Sequence, residues 1–274
     1  MTTLPPGLYI VATPLGNLGD ITGRAIEVLR GVNAVAVEDT RVTGKLLHLL
    51  GLKQRMVRYD DHADERTRDA LVARLATEAI ALVSDAGTPL ISDPGYKLVR
   101  AAREAGHAVH TVPGPSAVIA ALTLAGLPTD RFLFMGFLPS KAAARAATLA
   151  EVATVRATLV FFETAPRLAA SLAAMVEQLG DRDAAVTREL TKLHEESVNG
   201  RLTELAARYA ETETKGEIVV VVGPPLLPAA PTDHDVEALL RDALTRLPTT
   251  KAAAEVAALT KRDRRELYAL AITL

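Results

Sequence analysis

What most constrains this chain is a rhythm in its first half. Five times a short apolar run gives way to a loop of turn formers and acids, then to apolar residues at helical spacing. LYIVA leads through TPLGNLGD into ITGRAIEVLRG. AVAV leads through Glu38, Asp39, Thr40 and Arg41 into a helix closing on Gly51. A third run ends near Val57 and opens onto YDDHADERTRDALVARLATE; the fourth is ALVSDAGTPLISDPGY; the fifth is HAVHTVPGPSAVIAALTLAGL, with Ser116 placed to cap its helix. Strands alternating with helices in this way specify a parallel sheet covered on both faces.

The loops after those strands are Pro14 to Asn17, Glu38 to Arg41, Asp60 to Asp64, Asp85 to Pro89 and Pro113 to Ser116. Any one of them reads equally well as an ordinary strand-to-helix connection. Together they put acids or Gly-Pro pairs at nearly every strand end, where open α/β sheets bind ligands, and Gly87 lets a ligand approach the backbone closely. A ligand crevice is therefore expected.

After Gly126 the pattern changes. DRFLFMGFLPSKAAARAATLAEV carries three of the five phenylalanines, followed by TLVFFETAPRLAASLAAMVEQLG, AAVTRELTKLHEESVNGRLTELAARY and a last strand EIVVVVG. This predicts a second, smaller α/β domain with an antiparallel component. The expected division is 1–114 and 115–223 for the two α/β domains, a proline-rich linker over 224–235, and a helical module over 236–274 with helices near 236–247, 250–260 and 263–272.

Several chemistries are set aside. Cysteine is absent, which removes disulfides and thiolate metal sites and suits a reducing cytoplasm. Neither G-x-G-x-x-G nor a phosphate loop occurs, and Ser84 and Ser116 lack the G-x-S-x-G turn. His107 and His110 flank a strand, where their spacing puts the rings on opposite faces, so no metal is expected. No apolar run approaches the roughly 20 residues that span a bilayer, and the N-terminus reads as a first strand. With a net charge of −2, a nucleic acid would have to be met by local basic patches.

Taken together, LYIVATPLGNLGDIT, EDTRVTGKLL, VSDAGTPLISDPGY, VPGPSA, AGLPTDRF, GFLPSK and TRELTK resemble the tetrapyrrole methylase superfamily, and within it the ribosomal RNA small subunit methyltransferase I group. The resemblance covers nearly the whole chain in order. It implies two α/β domains with S-adenosyl-L-methionine bent in the cleft between them, S-adenosyl-L-homocysteine as product, and methyl transfer to the ribose 2′-oxygen of a cytidine in 16S ribosomal RNA, free or in the small subunit. It also implies a homodimer. By the same resemblance Pro14 and Leu15 match a first cofactor motif, Asp85, Gly87, Thr88 and Pro89 a second, and Ser116 and Ala117 a third, with Phe162 and Glu163 closing over the cofactor from the second domain. One departure stands out: where the family has H-x-H-N-E, this chain has Asp60, Asp61, His62, Ala63 and Asp64.

A 2′-hydroxyl is a poor nucleophile, so an acceptor for its proton or a cation for the developing alkoxide is expected. Asp39, Asp85, Glu163 and Glu189 are candidate acceptors, and Arg41, Lys141, Arg188 and Lys192 candidate cations; Asp39, Arg41, Glu163 and Arg188 are the chosen catalytic set. Each carboxylate could equally serve as a cap or ion-pair partner. For RNA, Lys141 and Arg145 follow GFLPSK, and Lys261, Arg262, Arg264 and Arg265 cluster between the last two helices, which could instead pack a dimer. Two rival functions remain: a methyltransferase acting on a porphyrinoid precursor, and a catalytically silent RNA-binding or ribosome-assembly protein. The SDAGTP loop and the basic tail argue against the first, the cofactor-like loops against the second.

Overall fold

A computed structural model describes residues 4–60, 65–226 and 232–274. Strands β1 (Gly7–Val11), β2 (Ala34–Val37), β3 (Met56–Arg58), β4 (Ala79–Val83) and β5 (Val109–Val112) form one sheet in the order β3-β2-β4-β1-β5, and every pairing is parallel. Its central strands are near-continuous apolar runs, as burial on both faces requires: β2 and β4 are buried at every residue. Helices α1 (Gly23–Gly31) and α2 (Thr40–Leu49) pack Val28, Leu29 and Leu47 against one face. Helices α3 (Glu65–Arg74) and α4 (Tyr96–Glu104) pack Leu71 and Leu98 against the other. The chain thus changes faces between the neighbouring strands β1 and β4, and open α/β sheets bind ligands beyond the strand ends at such a reversal.

Helix α5 (Ala117–Ala125) leads into the second sheet, built from β6 (Phe132–Phe137), β7 (Thr158–Thr164), β8 (Asp183–Arg188), β9 (Glu196–Arg201) and β10 (Glu217–Val222) in the order β6-β7-β10-β8-β9. Only β6 and β7 run parallel; the other pairs are antiparallel. One face packs Phe161, Val186 and Val220 against α6 (Ala142–Val152), α7 (Leu168–Leu179) and α8 (Leu202–Glu211). The opposite face, carrying Val160, Val219 and Val221, packs against Val118, Ala121 and Leu122 of α5, and Leu15 from the first loop joins that cluster. Ser116 stands at the N-cap position of α5 as expected, but its hydroxyl makes no capping hydrogen bond.

Residues from Leu226 onward form a separate compact unit. Helices α9 (Asp233–Arg246), α10 (Thr249–Thr260) and α11 (Arg264–Thr273) share a core of Val236, Leu240, Val256 and Leu267. Helix α9 starts three residues earlier than expected because Thr232 and Asp235 form a capping box: Asp235 N donates to Thr232 Oγ1 (3.2 Å) and Thr232 N to Asp235 Oδ2 (2.8 Å). A three-residue turn separates α10 from α11, with Lys261 in the left-handed conformation (φ 57°) and Asp263 capping α11.

Candidate active site

Hydrogen bonds stitch the strand-end loops of the first sheet together. Thr13 and Gly87 exchange backbone bonds (2.9 and 3.0 Å), joining the loops after β1 and β4. Thr88 Oγ1 donates to Pro115 O (2.9 Å), joining the loop after β4 to the one after β5, and Asp39 N donates to Asp85 Oδ1 (3.3 Å), bringing in the loop after β2. Gly87 is needed in this knot: its φ is +75°, a conformation open to glycine, and an added Cβ would stand 3.1 Å from Leu15 Cδ2.

Where these loops face the second sheet there is a cavity of about 240 Å³. Leu15, Gly87, Thr88, Ser116, Ala117, Phe162 and Glu163, all expected from the sequence, line it. Pro14, Asp39, Arg41 and Asp85 line a second hollow of about 570 Å³ with Leu18, Val42, Lys45 and Leu49. The two hollows share a border, because Pro14 and Asp85 are chain neighbours of Leu15 and Ala86. Pro89 is buried and lines neither. The segment 61–64, with His62, lies outside the described residues.

The cavity has further walls that the sequence reading did not assign. Ile91, Ser92 and Asp93 come from the far end of the fourth loop, Phe137 from β6, Leu190 from the turn after β8, and Gly216 to Val219 from the start of β10. A bulge between Phe134 and Phe137 turns β6 toward the site, where Phe134 and Phe137 both meet the Phe162 ring edge-on, at 4.8 and 5.5 Å. Two of these segments share an unusual backbone conformation. Leu90, Ser92, Glu189 and Thr191 are four of the five non-glycine residues with φ near +50° to +75° among the described residues, and all lie in the two segments that border the cavity.

The four residues chosen as catalytic stand in unlike surroundings. Glu163 has a fully buried side chain: Oε2 accepts from Ser171 Oγ (2.5 Å), Oε1 from Thr164 N (2.8 Å), and Arg167 Nε lies 3.4 Å from Oε1. Asp39 is held by Arg41 (2.6 Å), and hydrogen bonds from the Arg41 side chain and backbone lower its carboxyl to about 2. Arg188 pairs with Glu196 (3.1 Å) and lines neither hollow. Burial, opposed by the Asp39 N–H, leaves Asp85 above the usual carboxylate value; burial also raises Asp93, against a hydrogen bond from Ser84. Glu38 is raised by burial and by the charges of Asp85, Asp93, Asp60 and Asp39. An acidic, partly desolvated border of this kind favours a cation.

Of the basic residues, Lys141 is exposed at the start of α6, while Arg145 is half-buried and donates to Ser140 O (3.4 Å). Lys261, Arg264 and Arg265 are exposed at the α10–α11 turn, whereas Arg262 pairs with Asp233 (2.6 Å). His110, set aside as a metal ligand, stacks on Tyr9 at 4.6 Å.

Residues 7–206 match the family described as Tetrapyrrole (Corrin/Porphyrin) Methylases, and residues 230–274 match the RsmI C-terminal HTH domain. The chain is 58% identical to the ribosomal RNA small subunit methyltransferase I of Erythrobacter litoralis (strain HTCC2594), over 99% of this chain and 96% of that protein. It is 50% identical to the protein of the same name from Mesorhizobium japonicum, over 97% and 91%. A crystal structure of uroporphyrin-III C-methyl transferase from Thermus thermophilus, complexed with S-adenyl homocysteine, shares the fold with a TM-score of 0.55 at 22% identity, over 79% of this chain and 97% of that one. With relatives this similar along almost its full length, the chain belongs to the ribosomal RNA small subunit methyltransferase I group of the tetrapyrrole methylases.

Proposed function

We propose that this protein is an S-adenosyl-L-methionine-dependent methyltransferase that methylates the ribose 2′-oxygen of a cytidine in 16S ribosomal RNA. The observation that carries this reading is the convergence of Leu15, Gly87, Thr88, Ser116, Ala117 and Phe162, from four separate stretches of chain, on one apolar cavity. The residues fit the cofactor: apolar groups and strand-end backbone for adenine and the methionine chain, and raised-pKa carboxylates at the border for a positive sulfonium. The relatives at 50–58% identity are named for ribosomal RNA, which favours that substrate over a porphyrinoid.

When bound, the cofactor supplies an electrophilic methyl group; the protein's part is to orient the acceptor and exclude water. Leu15, Gly87, Thr88, Ser116, Ala117 and Phe162 form the cofactor wall, with Pro14 and Asp85 at its outer edge and Pro89 setting the loop beneath. Asp39 and Arg41 sit in the adjoining hollow. Arg41, with an 89% exposed side chain, meets the RNA, and Asp39, ionised and tied to Arg41, orients it. Glu163, with both oxygens occupied, secures the end of β7 under the cofactor, and Arg188 supports β8 from outside. Asp85 stands where the two hollows meet, with its pKa raised by burial, and receives the ribose proton.

The domains read from the sequence, 1–114 and 115–223, serve as the two walls, and 236–274 as a docking module joined by the 224–235 linker. Lys261, Arg264 and Arg265, with Arg262, contact RNA phosphates at the helix-turn-helix, and Lys141 and Arg145 extend the basic path. The protein works in the cytoplasm as a homodimer. Incubation of unmodified small subunits with the protein and methyl-labelled cofactor, followed by nucleoside analysis, tests the reaction: label is expected on a cytidine ribose, and label confined to a base overturns the assignment.

A further inference from the structure

Lys192 lies across the border between the two sheets. Its aliphatic stem covers Gly16 in the loop after β1: a Cβ built on Gly16 would lie 2.6 Å from Lys192 Cε and 2.9 Å from Cδ. Its ammonium donates to Glu189 Oε1 (2.9 Å) and Glu217 Oε2 (2.8 Å). Glu189 is fixed in turn, since its Oε1 also accepts from Glu217 N (3.0 Å) and its side chain lies over Gly216. Burial opposes the charge on Lys192, yet the two carboxylates outweigh it and raise its pKa; Glu189 is lowered by the Glu217 N–H and by Lys192. The residues beside this cluster, Leu15 on one side and Leu190, Gly216 and Glu217 on the other, are cavity walls. Two residues of the turn that carries Lys192, Glu189 and Thr191, hold φ of +50° and +65°, an unfavourable conformation kept only where the surroundings dictate it.

We infer that Lys192 is a positioning residue: it clasps the first loop to the start of β10 and so sets how tightly the cavity holds the cofactor. The inference rests on the cofactor reading above. It requires Gly16 for lack of a side chain rather than for backbone freedom, since its φ lies outside the left-handed region and the three atoms nearest an added Cβ all belong to the Lys192 stem. Gly16→Ala should therefore act by displacing Lys192. Once the stem has been removed, the same substitution should do nothing.

The test is a double-mutant cycle on the full chain, reading S-adenosyl-L-homocysteine binding by calorimetry and KM and kcat for methyl transfer to unmodified small subunits. Lys192→Ala and Gly16→Ala should each weaken binding about tenfold, and the double variant no further than either alone. KM for the cofactor should rise with kcat within about threefold, since no reacting group is touched. Lys192→Met, which keeps the stem and drops the charge, separates cover from ion pair and should give an intermediate loss. Wild-type protein that binds no S-adenosyl-L-homocysteine overturns the cofactor reading and the clasp with it. Wild-type binding with additive effects of the two substitutions, or a loss confined to kcat, overturns the clasp alone.

Discussion

The two walls of the cavity are built on different principles. The first sheet contributes loops: Leu15, Gly87, Thr88 and Asp93 all follow parallel strands, and their positions are tied by bonds between one loop and the next. The second sheet contributes regular strand, with Phe162 on β7 and Val219 on β10. Loops can change residue by residue without disturbing a core, whereas a strand residue in the wall has neighbours one position away that are the core. The second wall should therefore tolerate far less change than the first.

Phe161 and Phe162 give the sharpest version of that contrast, since successive strand residues point to opposite faces. Phe161 is fully buried among the α6, α7 and α8 side chains, so Phe161→Ala should lower stability by about 3–5 kcal/mol in denaturant unfolding, the largest effect expected. Phe162→Ala should instead weaken S-adenosyl-L-homocysteine binding about 10- to 100-fold, from about 1.5–3 kcal/mol of lost apolar contact, with a smaller stability change. Equal stability losses at the two positions would remove the distinction between wall and core.

A pH prediction probes the loop wall. Asp85 and Asp93 have raised pKa values in the folded chain, so the stability they contribute is present below the ordinary value of 3.8 and is lost as pH rises through the folded values. Asp93→Asn should thus stabilise the unliganded protein slightly near neutrality. A positive sulfonium favours the ionised carboxylates, so affinity for S-adenosyl-L-methionine should rise with pH across that same window. Affinity for the uncharged thioether product should not, and calorimetry with both compounds at two pH values reads the difference. The smallest effect is expected at Arg188→Ala, which touches neither hollow: kcat should stay within about threefold, as for loss of a partly exposed ion pair.

The same contrast explains what the sequence made legible. A strand-loop-helix rhythm repeated five times leaves little freedom of topology, and turn residues such as Gly87 and Pro115 are local signals. The loop wall could therefore be read residue by residue. Ile218, in the core, and Val219, on the cavity side, sit in EIVVVV, a run with no feature to mark one side as cavity and the other as core; that distinction arises only when β10 pairs with β7 and β8. Phe137 reaches the site through a bulge, and bulges leave no periodic trace. Glu163 could be placed at a strand end from the sequence, but its occupied oxygens are set by Ser171, eight residues on, on α7. Ser116 has the residue type and the place of a helix cap, yet its hydroxyl makes no such bond.

The most direct test is a crystal structure of the protein with S-adenosyl-L-homocysteine. The account predicts the ligand in contact with Leu15, Thr88, Ser116 and Phe162 at once. A ligand seated instead in the hollow between α3 and α4, against Arg68, Tyr96 and Arg100, would contradict it.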